Sequence, residues 1–154
     1  MVADLEELYR ARRHDFCRAA AAIAGDRGLG EDAVQEAFAK AVRKRRTFRG
    51  RGSLEAWVWR IVVNAARDAR RRRVRQSSLP EAAEGASRSN GYAVGLPLEL
   101  LTERQREVLF LHYYADLDYS TIAEALGITS NTVGATLSTA RATLLRALAK
   151  EVRR

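Results

Sequence analysis

One cysteine, two prolines, two histidines and one methionine are all that this chain of 154 residues holds of those types, and each scarcity excludes something. The lone Cys17 cannot make an internal disulfide, and it lacks the companions that a metal site needs. In a helical stretch it reads as a small buried hydrophobe. His14 and His112 are distant in sequence and have no ligand cluster beside them, so no metal is expected. There is no Ser–His–Asp set, no glycine-rich phosphate loop after a strand and no paired-carboxylate pocket. An enzyme, a cofactor and a small-molecule substrate are therefore not expected. No apolar run reaches about 18 residues, which excludes a membrane-spanning helix. The N-terminus is acidic and amphipathic, without a basic segment leading into an apolar core, so no signal peptide is read there and a cytoplasmic protein is expected. Strand-like alternation of Val, Ile and Thr is also missing. What remains abundant is alanine and arginine, a composition that favours helix.

The charge is unevenly spread. Residues 1–75 carry nineteen Lys/Arg against ten Asp/Glu, a net +9, whereas residues 98–154 carry seven of each. A basic half joined to a neutral half implies a polyanionic partner for the first. Between them, residues 76–97 are rich in Ser, Gly and Ala, lack an apolar period and read as a flexible linker. The expectation is an all-α fold of two small helical domains, 1–75 and 98–154, with a tether over 76–97.

Apolar spacing predicts a first helix over 4–24, a break at Gly25, Gly28 and Gly30, and a second helix from Glu31 to Arg46. Its opening acids and closing basic run suit the helix dipole. A glycine-punctuated basic loop, Phe48-Arg49-Gly50-Arg51-Gly52-Ser53, leads to a third helix from Leu54 to about Val74, capped by Ser53. The stripe Leu54, Trp57, Val58, Ile61, Val62, Ala65, Ala66 and Ala69 faces the core, so Trp57 is assigned to packing. Arg60, Asn64, Arg67 and Arg70 to Arg73 occupy the other side. Trp59 lies off the stripe, and stacking on an unpaired base suits it as well as packing under the first helix does. In the second half, Thr102 with Gln105 forms a capping box opening a helix through about Ala115. Asp118 caps a short helix ended by Gly127, and Thr129 caps a long final helix. The last two, with Ile122, Ala123, Leu126 and Ile128 packing on Val133 and Leu137, form a helix-turn-helix candidate.

With those elements placed, LTERQREVLFLHYYADLDYSTIAEALGITSNTV resembles the fourth conserved region of sigma-70 factors. EDAVQEAFAKA followed by FRGRGSLEAWVWRIVVNAARDARRRR resembles their second region. The absence of a third region between them is the layout of the extracytoplasmic-function (ECF) group. The resemblance implies a transcription initiation factor that binds core RNA polymerase, through the β′ clamp helices and the β flap, and directs it to promoter DNA. An anti-sigma factor is implied as a further partner. Carried over, Asp32, Gln35, Glu36 and Phe38 match the clamp-docking helix, although Phe38 suits a core position equally. The −10 set is Arg49, Arg51, Ser53, Trp59, Arg60, Asn64, Arg67, Arg70, Arg71, Arg72 and Arg73. The −35 set is Ser120, Thr121, Ser130, Asn131, Thr132, Ala135, Thr136, Thr139 and Arg141.

One departure stands out. From Thr132 to Arg141 the recognition helix holds a single charged residue, Arg141, although arginine to guanine is the commonest specific base contact. First-domain contacts at the −10 element are therefore expected to dominate DNA affinity. A stand-alone dimeric helix-turn-helix regulator and a pure protein-interaction module are the competing readings.

Overall fold

The computed structural model describes residues 1–76 and 96–153. Nearly all of the expected linker lies outside the described residues. Within them are six α-helices and two short 3₁₀ turns, without a strand. Helices α1 (Val2–Ala24), α2 (Arg27–Arg43) and α3 (Leu54–Gln76) form the first unit, with a 3₁₀ turn at Arg45–Thr47. A second 3₁₀ turn, Leu98–Leu100, leads to α4 (Glu103–Tyr113), α5 (Tyr119–Leu126) and α6 (Ser130–Val152). Among the described residues no helix is long and apolar enough to cross a membrane, and no His/Cys/Asp/Glu group could hold a metal.

The second helix starts earlier than its apolar pattern predicts. Asp26 caps it by accepting a hydrogen bond from the Leu29 amide at 2.9 Å, and only Gly25, in the left-handed region at φ 81°, makes the turn. Gly28 and Gly30 lie inside α2. Gly30 is there because the helices touch: a Cβ at this position would fall inside the backbone of Ala20 and Ala21. The alanine-rich end of α1 (Ala19 to Ala24, all buried) lets α2 approach this closely. At its other end α2 stops at Arg43, and the basic run continues as the 3₁₀ turn.

The buried face of α3 is rotated from the predicted stripe. Ala56, Val58, Trp59, Val62, Val63, Ala66 and Ala69 are buried, whereas Trp57, Ile61 and Ala65 are only partly so. Trp59 is fully buried, its ring 4.2 Å from that of Phe16. Phe38, also buried, packs edge-on against Phe16 and Tyr9. Base stacking by Trp59 is thereby ruled out, and the packing alternative holds.

The caps of the second unit fall where the sequence places them. Thr102 and Gln105 form the reciprocal capping box, Asp118 caps α5 and Thr129 caps α6. Gly127 ends α5 at φ 69°. Five successive residues of α4, Glu107 to Leu111, are buried. Consecutive burial circles a helix, so α4 must be covered on all sides. It lies between α5 and α6 on one side and α1 on the other, and α5 packs against α3. The apolar cluster consequently runs unbroken from Leu5 to Leu144. The two helical domains expected from the sequence are present, and their buried apolar residues meet in one cluster.

The Gly30 contact is open to test. Gly30→Val forces α1 and α2 apart, and overpacking of this kind costs about 1–3 kcal/mol; a lowered urea midpoint with helical content retained is the expected result.

Candidate nucleic-acid interface

The loop at Phe48–Ser53 is shaped by its glycines. Gly50 and Gly52 both take positive φ, 73° and 76°, a conformation that costs a residue with a Cβ. Phe48 lies against Trp57, ring centroids 5.4 Å apart, which anchors the start of the loop. Ser53 ends it by accepting from the Ala56 amide at 3.0 Å, the predicted N-cap of α3. Arg51, Gly52, Ser53, Ala56, Trp57 and Arg60, with Glu124 of α5, line an open cavity of about 360 Å³. The aromatic that faces this opening is Trp57, which the sequence assigns to packing. The buried stripe of α3 is turned by nearly one residue step (about 100°) from the predicted one, which buries Trp59 and leaves Trp57 only partly covered.

Four polar positions follow on α3 at helical steps: Arg60, Asn64, Arg67 and Arg71. They share one face, and that face is turned to the second unit. Arg60 Nη2 donates to the Glu124 carbonyl at 2.7 Å and its Nε to the Ala125 carbonyl at 3.3 Å. These carbonyls belong to the last turn of α5, where the helix dipole favours a cation. Arg67 grips Glu107 with both prongs, Nε to Oε2 at 2.8 Å and Nη2 to Oε1 at 2.7 Å, and Glu107 is only 1% exposed. The Glu107 hydrogen bond, opposed by burial and helped by the nearby acids, raises the Arg67 guanidinium above its ordinary range. Asn64 Oδ1 accepts from Arg67 Nη1 at 3.2 Å, fixing the guanidinium plane. Arg71 pairs with Glu103 at 3.2 Å, and Arg67 Nε lies 3.4 Å from the other Glu103 oxygen. Arginines four apart on α3 thus meet glutamates four apart on α4 in reverse order.

Beyond this ladder the basic end of α3 is crowded. Arg70 is half-buried, and burial followed by the neighbouring Arg106 and Arg73 lowers its pKa. Arg70, Arg71, Val74, Arg75, Glu103 and Arg106 surround a cavity of about 370 Å³. Arg73 donates to the Gly25 carbonyl at the end of α1. Arg49, Arg51 and Arg72 are exposed.

Sequence reasoning missed two residues of α1 that tie the two units. Arg12 of α1 donates to Glu55 at 2.5 Å and to the Ala115 carbonyl at 2.6 Å, with Asp15 as a third partner at 3.0 Å. Arg18 lies over the Tyr114 ring, 5.3 Å from its centroid. Nothing in the spacing of α1 distinguishes these arginines from its solvated ones.

Within the second unit, α5, the Gly127 turn and α6 make the expected helix-turn-helix. Ile122, Ala123, Val133 and Leu137 are buried between them. Ser120, Ser130, Asn131, Thr132, Ala135, Thr139 and Arg141 are exposed, and Thr121 and Thr136 are half-buried. Arg141 donates to the Tyr113 hydroxyl at 2.7 Å while lying over that ring. On the far face of the first unit, Asp32, Gln35 and Glu36 are exposed. Val2, Leu5, Tyr9, Gln35, Phe38 and Val42 line an apolar groove of about 390 Å³ between α1 and α2.

Residues 8–76 match the family model of sigma-70 region 2, and residues 97–144 match that of sigma-70 region 4. The chain belongs to the sigma-70 family. Two matched regions in this order, with only residues 77–96 between them, are the ECF layout. It is 27% identical over 150 residues to the RNA polymerase sigma-E factor of Streptomyces coelicolor, covering 93% of this chain and 85% of that one. Its fold resembles that of CnrH, solved in complex with the cytosolic domain of CnrY: TM-score 0.73, 25% identity, 95% of this chain and 88% of the other covered. It likewise resembles the sigma factor RpoE of Bartonella quintana, solved with the anti-sigma factor NepR, at TM-score 0.68 and 22% identity over 94% and 96% of the two chains.

Two measurements follow from this geometry. Arg67→Ala leaves the Glu107 carboxylate buried without its partner, so a loss of about 3–5 kcal/mol is expected in denaturant unfolding; Arg67→Met with Glu107→Leu together should recover most of it. Asp118 accepts from the Thr121 amide at 2.8 Å, which, with the Thr121 side chain, holds its carboxyl below the ordinary aspartate range. A lowered folded-state pKa stabilises above the unfolded value and is lost as pH falls through the lowered one. Asp118→Asn keeps a capping side chain, so its stability at neutral pH should stay near wild type while the acid-side decline becomes shallower.

Proposed function

We propose that this protein is a promoter-specificity subunit of RNA polymerase: it binds core enzyme and directs it to promoters, itself non-catalytic. Membership of the sigma-70 family supports the coarse statement, transcription initiation through promoter recognition. The finer assignment rests chiefly on one observation, the basic face of α3 running into a glycine-shaped, arginine-flanked cavity. In this reading the loop and α3 take the −10 element. Gly50 and Gly52 let backbone come close to nucleic acid, Arg49 and Arg51 hold phosphates, and Trp57 offers a ring to an unpaired base. Ser53, Arg60, Asn64, Arg67 and Arg70 to Arg73 continue the track along the strand. The exposed outer face of the helix-turn-helix, from Ser120 and Thr121 through Ser130, Asn131, Thr132, Ala135, Thr136, Thr139 and Arg141, takes the −35 element.

That second contact is the weaker of the two. Its outer face is mostly hydroxyls and small side chains, and Arg141 is already committed to Tyr113. Hydroxyl contacts carry less base discrimination than a bidentate arginine. The exposed acids Asp32 and Glu36, with Gln35 beside the apolar groove of α1 and α2, suit docking to the β′ clamp helices, and the second unit would meet the β flap. The likeness to the sigma factor RpoE solved with the anti-sigma factor NepR supports an anti-sigma partner for this chain as well.

Run-off transcription with purified core polymerase on genomic promoter fragments tests the class: transcripts that start at discrete sites only when this protein is added are expected. Tight binding to a palindromic duplex without polymerase would instead indicate a stand-alone regulator. Trp57→Ala, with circular dichroism unchanged, should weaken binding to an unpaired −10 strand by about 1–3 kcal/mol, roughly 5- to 150-fold.

A further inference from the structure

Where the basic end of α3 meets the start of α4, cations gather without an equal number of acids. Arg70, Arg71 and Arg75 of α3 and Arg106 of α4 line the cavity of about 370 Å³ found there, and Glu103 is the one carboxylate among its lining residues. That carboxylate is already engaged. It pairs with Arg71 at 3.2 Å, and its other oxygen lies 3.4 Å from Arg67 Nε. Arg106 gives Nη1 to the Leu101 carbonyl at 2.7 Å, and its remaining nitrogens meet no acceptor among the described residues. Arg70 makes no hydrogen bond and no ion pair among the described residues. Yet it is half-buried, and the charges of Arg106 and Arg73 act on it more strongly than that of Glu103. A cation withdrawn from water among other cations is costly unless an opposite charge meets it. Arg60 and Arg67 on the same helix find that compensation in carbonyls and a carboxylate of the second unit; Arg70 does not.

We propose that this cavity is a binding site for a small oligophosphate anion, free or as the phosphate chain of a nucleotide, gripped by Arg70 from one helical unit and Arg106 from the other. The planar guanidinium fork matches phosphate oxygens two at a time, and several forks converging on one space favour an anion of multiple charge. The volume falls within the range of about 300–1,000 Å³ typical of small-ligand sites. A DNA backbone suits it less well. Arg106 stands outside the track assigned to the promoter strand, and the cavity shares no lining residue with the one beside the Phe48–Ser53 loop. Nothing in the site depends on polymerase or on a promoter.

Isothermal titration calorimetry of the full chain with sodium tripolyphosphate reads the site directly. It is run beside Arg70→Met, Arg106→Met and the control Arg46→Met, an exposed arginine outside the cavity. Expected are one triphosphate per chain, binding weaker by about tenfold or more in each cavity variant, and no change in the control. Triphosphate should also raise the melting temperature of the wild type by mass action and leave that of the cavity variants where it was. Without ligand, Arg70→Met should melt no lower than the wild type, because an unmet cation has been removed; loss of binding is thereby kept apart from loss of fold. ATP in place of triphosphate separates the two sources: equal affinity assigns the site to phosphates alone, and tighter ATP binding extends it to the nucleoside. A labelled single strand of arbitrary sequence, followed by fluorescence anisotropy, should bind Arg106→Met as it binds the wild type. Equal loss of strand and triphosphate would place the cavity on the DNA track and overturn the proposal. Several triphosphates per chain, weakened as much by Arg46→Met, would show diffuse attraction to a chain of net charge +8 and overturn it too. So would an Arg70→Met protein that melts below the wild type, since the guanidinium would then have a partner within the chain.

Discussion

The contact on which the rest of the arrangement depends is the two-pronged pairing of Arg67 with Glu107. A carboxylate 1% exposed is costly to bury unless its charge is met at close range. The pair adds little net stability relative to well-packed hydrophobes of the same size. What it supplies is register. With Glu107 fixed on Arg67, Glu103 one turn earlier on α4 reaches Arg71 one turn later on α3 as well as Arg67 itself, and α5 is brought beneath Arg60 and the loop. Burial of Leu111 and Ala115 in the common core provides the non-directional part of the attraction, and the ion pairs determine which faces meet.

Much of this could be read from residues before any coordinates. Thr102, Asp118 and Thr129 mark helix starts because a short oxygen-bearing side chain satisfies orphan amides, a local effect independent of tertiary context. Gly127 ends α5 for an equally local reason. The loop glycines were also apparent, and both adopt the left-handed conformation that makes them necessary. Where local signals fell short, the cause lies in packing between distant segments. Gly28 and Gly30 look like turn residues, yet Gly30 marks a helix crossing. Trp57 and Trp59 are two residues apart, and an alanine-rich helix gives the eye too few large side chains to fix its rotation.

The meeting of the two units was the least accessible feature. Arg60, Arg67 and Arg71 repeat at helical spacing, and so do Glu103 and Glu107, so a complementary pair of stripes was present in the sequence. A basic stripe in a basic half reads first as a surface for an external polyanion. Only the coordinates bring the acidic stripe of the other half against it. Arg12 had no such signal: its partners Glu55 and the Ala115 carbonyl are brought to it by the fold alone.

The placement of the two indole rings gives the molecule a spectroscopic property. Trp59 is sealed against Phe16, whereas Trp57 borders the loop cavity beside Arg51, Arg60 and Glu124, and the chain has no other tryptophan. Ultraviolet emission from the protein therefore has one source that senses the integrity of the interior and one that senses the occupancy of the loop. A quencher dissolved in the buffer separates the two without any label being attached.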